Sequence, residues 1–193
     1  IASKSSAHIV NISLRLSHTR RELSPNVYTA MITLAQSGKI IVIAAGNEGM
    51  PLMKSAYTAS LVRLSHDPKM QGRLILAGAL SYKNGRESLA EFSNFPGNSS
   101  YEISQTYFIT APGEDILSTI TGGYFGEKSG TSMAAPMIVG ALCLLMQAFP
   151  EYEPENVVRL LLTSARKIST DGLPISSRIF GRGIVDLKTA LAH

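Results

Sequence analysis

The chain has 193 residues, 45% apolar and 17% charged, with 18 Lys and Arg against 14 Asp and Glu for a net charge of +4. That length can bury one domain-sized core, and a charged share below the usual quarter points to buried parallel strands or to a face that packs against a further segment. The cations are scattered, with Arg20-Arg21 and Arg166-Lys167 as the only adjacent pairs, so the charge reads as solvated surface and not as a nucleic-acid site; no apolar run approaches a membrane span and no signal peptide is visible.

In chain order, 8–14 reads as a strand. Residues 25–37 read as a helix, with Ser24 as its cap, Pro25 at its first position and Gly38 just past its end. The apolar, β-branched run 39–45 reads as a buried parallel strand, which makes the first unit a right-handed strand–helix–strand crossover. A helix is expected over 53–65 and a strand over 73–80. The stretch 82–104 is rich in Gly, Asn, Ser and Pro and reads as irregular surface. A short strand over 107–111 and a hairpin over 116–125, broken at Gly122-Gly123, follow. Helices are expected over 131–149, 154–167 and 187–192. The single cysteine, Cys143, falls in the apolar run of the first of these and is expected to be a buried small hydrophobe. No repeat or second domain boundary is visible, and the pattern is that of an α/β fold. Asn11-Ile12-Ser13 and Asn98-Ser99-Ser100 match the glycosylation sequon and read as chance matches.

Two segments carry chemistry. Gly130-Thr131-Ser132-Met133-Ala134-Ala135-Pro136 sets a serine between a glycine turn and the start of a long helix. A hydroxyl there is rigidly aimed, and the free N–H groups and positive dipole of a helix start favour a nearby oxyanion. The same residues also suit a simple helix cap. The strand 39–45 ends in Gly46-Asn47-Glu48-Gly49, at the sheet edge where open α/β folds place ligands. The Asn47 amide suits donation to an oxyanion, or Asn47 simply tolerates a left-handed turn. Gly122 to Ser129 fails as a phosphate loop because Glu127 separates the lysine from the glycine, and Gly130 to Ala134 lacks the last glycine of an esterase elbow.

Taken together, Ala44-Ala45-Gly46-Asn47-Glu48-Gly49 and Gly130-Thr131-Ser132-Met133-Ala134-Ala135-Pro136 resemble the oxyanion-hole and nucleophile motifs of the subtilisin-like serine proteases. Ile9-Val10-Asn11-Ile12-Ser13-Leu14 is similar to that family's cleft strand. Phe92-Ser93-Asn94 with Thr110-Ala111-Pro112-Gly113, and Phe180-Gly181-Arg182-Gly183-Ile184-Val185-Asp186, match in the family's order. The wording from Phe92 to Glu114 is most similar to bacterial subtilases of the autotransporter kind.

The resemblance implies a parallel-sheet, three-layer subtilisin-like fold and peptide-bond hydrolysis through an acyl-enzyme. It implies Ser132 as nucleophile and Asn47 with the Ser132 N–H as oxyanion donors. Substrate would pair along Ser13, Leu14 and Arg15, with Ala44, Ala45 and Gly46 walling the primary pocket and Thr131 beside the nucleophile. The family's Asp-Thr/Ser-Gly and His-Gly-Thr-His motifs are absent, and none of His8, His18, His66 or His193 has the neighbours of the family histidine. Residues 1–193 are therefore expected to be the carboxyl-terminal portion of a catalytic domain, inactive alone and partnered by the amino-terminal half. A protein or peptide is the expected substrate and a secreted or cell-surface location is implied. No cofactor is expected; calcium is possible by resemblance, with no ligand identifiable. A degenerate module that binds extended peptides without cutting them is the alternative. Two residues depart from the family. Arg15 stands where glycine is usual and is expected to narrow the cleft or to favour acidic substrates. Met137 stands where histidine is common and reads as packing.

Overall fold

Residues 40–45 carry an apolar side chain at every position, and all are buried, because this strand has a helical layer on each face. The computed structural model describes residues 2–15, 22–98, 103–170, 173–174 and 177–193. In chain order these form β1 (Ile9–Ile12), α1 (Pro25–Gln36), β2 (Ile40–Ala44), α2 (Ala56–Ser65), β3 (Leu74–Lys83), β4 (Arg86–Leu89), α3 (Ile103–Thr106) and β5 (Phe108–Pro112). There follow β6 (Ile116–Ile120), β7 (Tyr124–Lys128), α4 (Thr131–Ala148), α5 (Pro154–Thr163), α6 (Ser177–Phe180) and α7 (Leu187–Ala190). β1, β2, β3 and β5 run parallel in that spatial order, with Ile9 opposite Ile40, Ile41 opposite Leu74 and Leu76 opposite Phe108. β4 runs antiparallel to the far end of β3.

Alternate residues of the sheet serve two cores. Ile40, Val42, Ile75, Ala77 and Ile109 pack with Ile138, Leu142 and Leu145 of α4 and Val157 and Leu161 of α5. Ile41, Ile43, Leu74, Leu76 and Phe108 pack on the opposite face with Met31 of α1 and Leu61 and Leu64 of α2. The result is an α/β three-layer fold, as expected. Each fully buried Ile or Leu contributes about 1.5–3 kcal/mol. Ser24 caps α1 as its sequence suggests, accepting from the Val27 N–H at 3.4 Å. The hairpin appears as β6 and β7.

Some expectations need correction. The stretch 82–104 is not all surface: β4 forms in it, and Ser93 and Asn94 are buried, because their side chains bond to sheet and loop backbone. Cys143 is exposed. α4 is apolar all round, so composition could not tell its core face from its outer one; its outward side carries Met137, Gly140, Cys143 and Leu144. α4 is also an 18-residue helix of mean hydropathy 1.6, long and apolar enough by composition to cross a membrane, contrary to the expectation. It packs instead along the sheet and α5, as a core helix does. β1 pairs with β2 on one side, and no described strand covers its other edge. His18, Arg20-Arg21, Ser99 and Ser100 lie outside the described residues.

Candidate active site

The first turn of α4 is fixed to the carboxyl ends of the sheet strands. The Gly130 N–H donates to the Gly113 carbonyl at 2.7 Å, and the Gly113 N–H to that of Leu80 at 3.0 Å. A helix leaves its first N–H groups without internal partners; here a distant side chain takes one of them. Asn47 Oδ1 accepts from the Thr131 N–H at 2.9 Å and from Thr131 Oγ1 at 2.8 Å, and Thr131 Oγ1 accepts from the Gly46 N–H at 3.1 Å. These bonds join segments 84 positions apart. They also fix the orientation of the amide: two donors face the carboxamide oxygen, so the nitrogen points elsewhere. Asn47 is exposed, and its Nδ2 lies 3.2 Å from where a Cβ on Gly130 would stand, so a side chain at 130 would crowd it. Neither Asn47 Nδ2 nor the Ser132 N–H bonds to a described residue, and both lie near the Cβ position of Gly130, at 3.2 and 3.7 Å.

Ser132 is tied to the end of the β1 segment. Its Oγ donates to the Ser13 carbonyl at 3.2 Å, and Ser13 Oγ donates back to the Ser132 carbonyl at 2.9 Å. That carbonyl is available because Pro136, four residues on within α4, has no N–H to give it. The proline thus opens an acceptor at the nucleophile residue, and Ser13 fills it.

The loop carrying Asn47 is held from beneath by Asn94, which is fully buried. Asn94 Nδ2 donates to the Ala45 carbonyl at 2.9 Å and to Glu48 Oε2 at 2.6 Å; its Oδ1 accepts from the N–H groups of Glu48 (3.3 Å) and Met50 (3.1 Å). Its own N–H donates to the Gly46 carbonyl at 3.0 Å. Gly46 has φ +103°, and a Cβ there would lie 2.5 Å from Asn94 Nδ2, so only glycine fits. Ser93 Oγ accepts from the Ala79 N–H and donates to the Asn94 carbonyl. The motif Phe92-Ser93-Asn94 does not by itself disclose this role. The available signal was two adjacent polar residues in a segment that had to return to the sheet.

The expected substrate residues divide. Leu14 is 59% exposed at the cleft end of β1. Arg15 is exposed but anchored: its guanidinium pairs with Glu48 Oε1 and lies 5.6 Å over the Tyr57 ring. Ala44 and Ala45 are buried, Ala45 in the core beneath α1 and α2. Thr131 is fully buried and its hydroxyl is engaged by Asn47 and Gly46, which ties the Asn47 loop to the start of α4. Met137 is exposed on the outer side of α4, not packed as expected. His66 Nδ1 lies 3.1 Å from the Val62 carbonyl and from Ser65 Oγ, with its ring edge-on to Tyr107; His8 and His193 are exposed. None of these three bonds to Ser132. Among the described residues no three His, Cys, Asp or Glu converge as a metal site.

The model of the subtilase family, peptidase S8, matches residues 1–183. The chain belongs to the subtilase family. This subtilase is 30% identical over 189 residues to an extracellular serine protease of Serratia marcescens, covering 85% of the chain and 17% of that protein. It is 36% identical over 140 residues to the major intracellular serine protease of Bacillus subtilis, covering 72% of the chain and 37% of the relative. Among solved structures, it superposes on the patellamide maturation protease PatA with a TM-score of 0.73 at 27% identity, over 97% of the chain and 62% of PatA. The chain thus spans well under half of both curated relatives.

Proposed function

We propose that this subtilase chain supplies the nucleophile and oxyanion donors of a serine endopeptidase. Ser132 Oγ attacks the scissile carbonyl of a peptide laid as an extended strand along Ser13, Leu14 and Arg15. A base takes the hydroxyl proton and returns it to the leaving amine; water then hydrolyses the ester. The oxyanion is held by Asn47 Nδ2 and the Ser132 N–H. The observation that supports this is the turning of Asn47 by Thr131, whose two donors occupy the amide oxygen and so leave the nitrogen free to donate elsewhere, while the Cβ position of Gly130 lies 3.2 Å from that nitrogen and 3.7 Å from the Ser132 nitrogen.

The histidine base and its carboxylate belong, in this proposal, to an amino-terminal portion of the same catalytic domain, packed against the open edge of β1 and the apolar outer side of α4. A secreted location is proposed by likeness to the extracellular Serratia protease, set against the intracellular Bacillus relative. A second reading, a peptide-binding module without catalysis, is favoured by one observation: Ser132 Oγ is bonded to a backbone carbonyl and to no base among the described residues. A fluorophosphonate probe on the full-length protein separates the two. Labelling of Ser132 supports the protease; no labelling together with retained peptide binding supports the module.

A further inference from the structure

The two segments that flank Ser132 meet again one step further along the cleft. Ser13 touches Ser132 and Asn47 touches Thr131; Arg15, two residues past Ser13, pairs with Glu48, the residue after Asn47. In extended chain that step is about 7 Å. Beside the pair lies a cavity of about 190 Å³ lined by Arg15, Glu48, Met50, Lys54, Ser55 and Ala56, roughly six times the volume of a liquid water and sufficient for a short side chain.

Its charges are unequal: two cations, Arg15 and Lys54, and one carboxylate. Glu48 is committed on both oxygens, Oε1 to Arg15 and Oε2 to the buried Asn94 amide. Arg15 is held over Tyr57, and of its five N–H donors only the one facing Glu48 is taken up by a described residue. Lys54 makes no ion pair among the described residues. The cavity therefore holds unspent donors and a net positive charge, on the same two segments that touch Ser132 and Thr131.

Resting on the proteolytic reading above, we propose that this cavity selects an acidic substrate side chain, Asp or Glu, on the acyl side of the scissile bond, its carboxylate lying between Arg15 and Lys54. Glu48 offsets this attraction only in part, because Oε1 is paired with Arg15 and Oε2 accepts from the Asn94 amide. Ser55 and Ala56 open α2, whose positive dipole end has the same sign.

The test is the ratio of kcat/KM for peptide pairs that differ only in Glu or Gln at one acyl-side position, measured on the active protease. The expected ratio favours Glu by about tenfold and falls toward one in about 0.5 M salt. Arg15→Gly and Lys54→Ala each lower it several-fold, Arg15→Lys keeps part of it, and Glu48→Gln raises it. A wild-type ratio at or below one at every acyl-side position, or a ratio unmoved by both Arg15→Gly and Lys54→Ala, overturns the inference. Fluorophosphonate labelling in parallel keeps the two claims apart. Labelling and cleavage without acidic preference overturn the specificity alone, whereas absence of both removes the protease reading and the specificity with it.

Discussion

Ser13 and Ser132, 119 positions apart, are joined by reciprocal hydrogen bonds, each hydroxyl donating to the other's carbonyl. One of these bonds exists because Pro136 cannot serve the Ser132 carbonyl. Ser13→Ala leaves that carbonyl short of a partner and costs about 1–2 kcal/mol, a Tm loss of roughly 2–8 °C for a chain of this size. Pro136→Ala restores an N–H to the same acceptor. In that background the cost of Ser13→Ala should shrink, and a double-mutant cycle by thermal unfolding that shows strict additivity would contradict the coupling.

Asn47→Asp separates holding from catalysis. The retained oxygen still accepts from Thr131, so the loop keeps its tie, but the donor toward the oxyanion is gone. Turnover should fall roughly 10²–10³-fold with KM little changed. A KM rise with kcat intact would assign Asn47 to ground-state binding instead.

Asn94→Ala removes the support under the same loop. It strands the Ala45 carbonyl and the N–H groups of Glu48 and Met50, at about 3 kcal/mol in total, and should lower turnover by loosening Asn47. Denaturant unfolding and activity at a temperature where the variant is folded measure the two effects separately. Full activity in the folded variant would reduce Asn94 to a stabilising role only.

The pH dependence of stability should carry a contribution from Glu155. Hydrogen bonds from the Arg73 guanidinium, at 2.8 and 3.1 Å, hold its carboxyl below the usual range. A lowered folded-state pKa means the unfolded chain binds the proton more readily. The stabilisation is therefore complete above the ordinary glutamate value of about 4.3 and is lost as pH falls through the lower folded value. Glu155 is 42% exposed at its side chain, so solvent screening keeps the effect to about 1 kcal/mol or less. Urea midpoints between about pH 6 and pH 3 should fall less steeply for Glu155→Gln than for the wild type.

Cys143 reports on what covers α4. It is exposed beside Met137 and Leu144. If an amino-terminal portion packs there, native full-length protein should resist alkylation at Cys143 and react once denatured. Rapid labelling of the native protein would place that portion elsewhere.

Much of this was legible in the residues themselves. Period-two burial is hidden in a strand apolar on both faces, yet the run 39–45 still announced a buried parallel strand, since no solvated strand tolerates such a composition. Ser24, Pro25 and Gly38 marked α1, and the two glycine-flanked motifs marked Ser132 and Asn47, because turns and helix starts impose local rules on backbone conformation. Other features depend on distant partners and left no local trace. The outward side of α4, the burial of Asn94, the engagement of Thr131 and the pairing of Arg15 with Glu48 were decided only when segments tens of residues apart came together. Local chemistry determined which groups this chain possesses; the packing of the sheet ends determined which atoms of those groups face one another, since hydrogen bonds across 84 and 119 positions exist only once the whole sheet has formed.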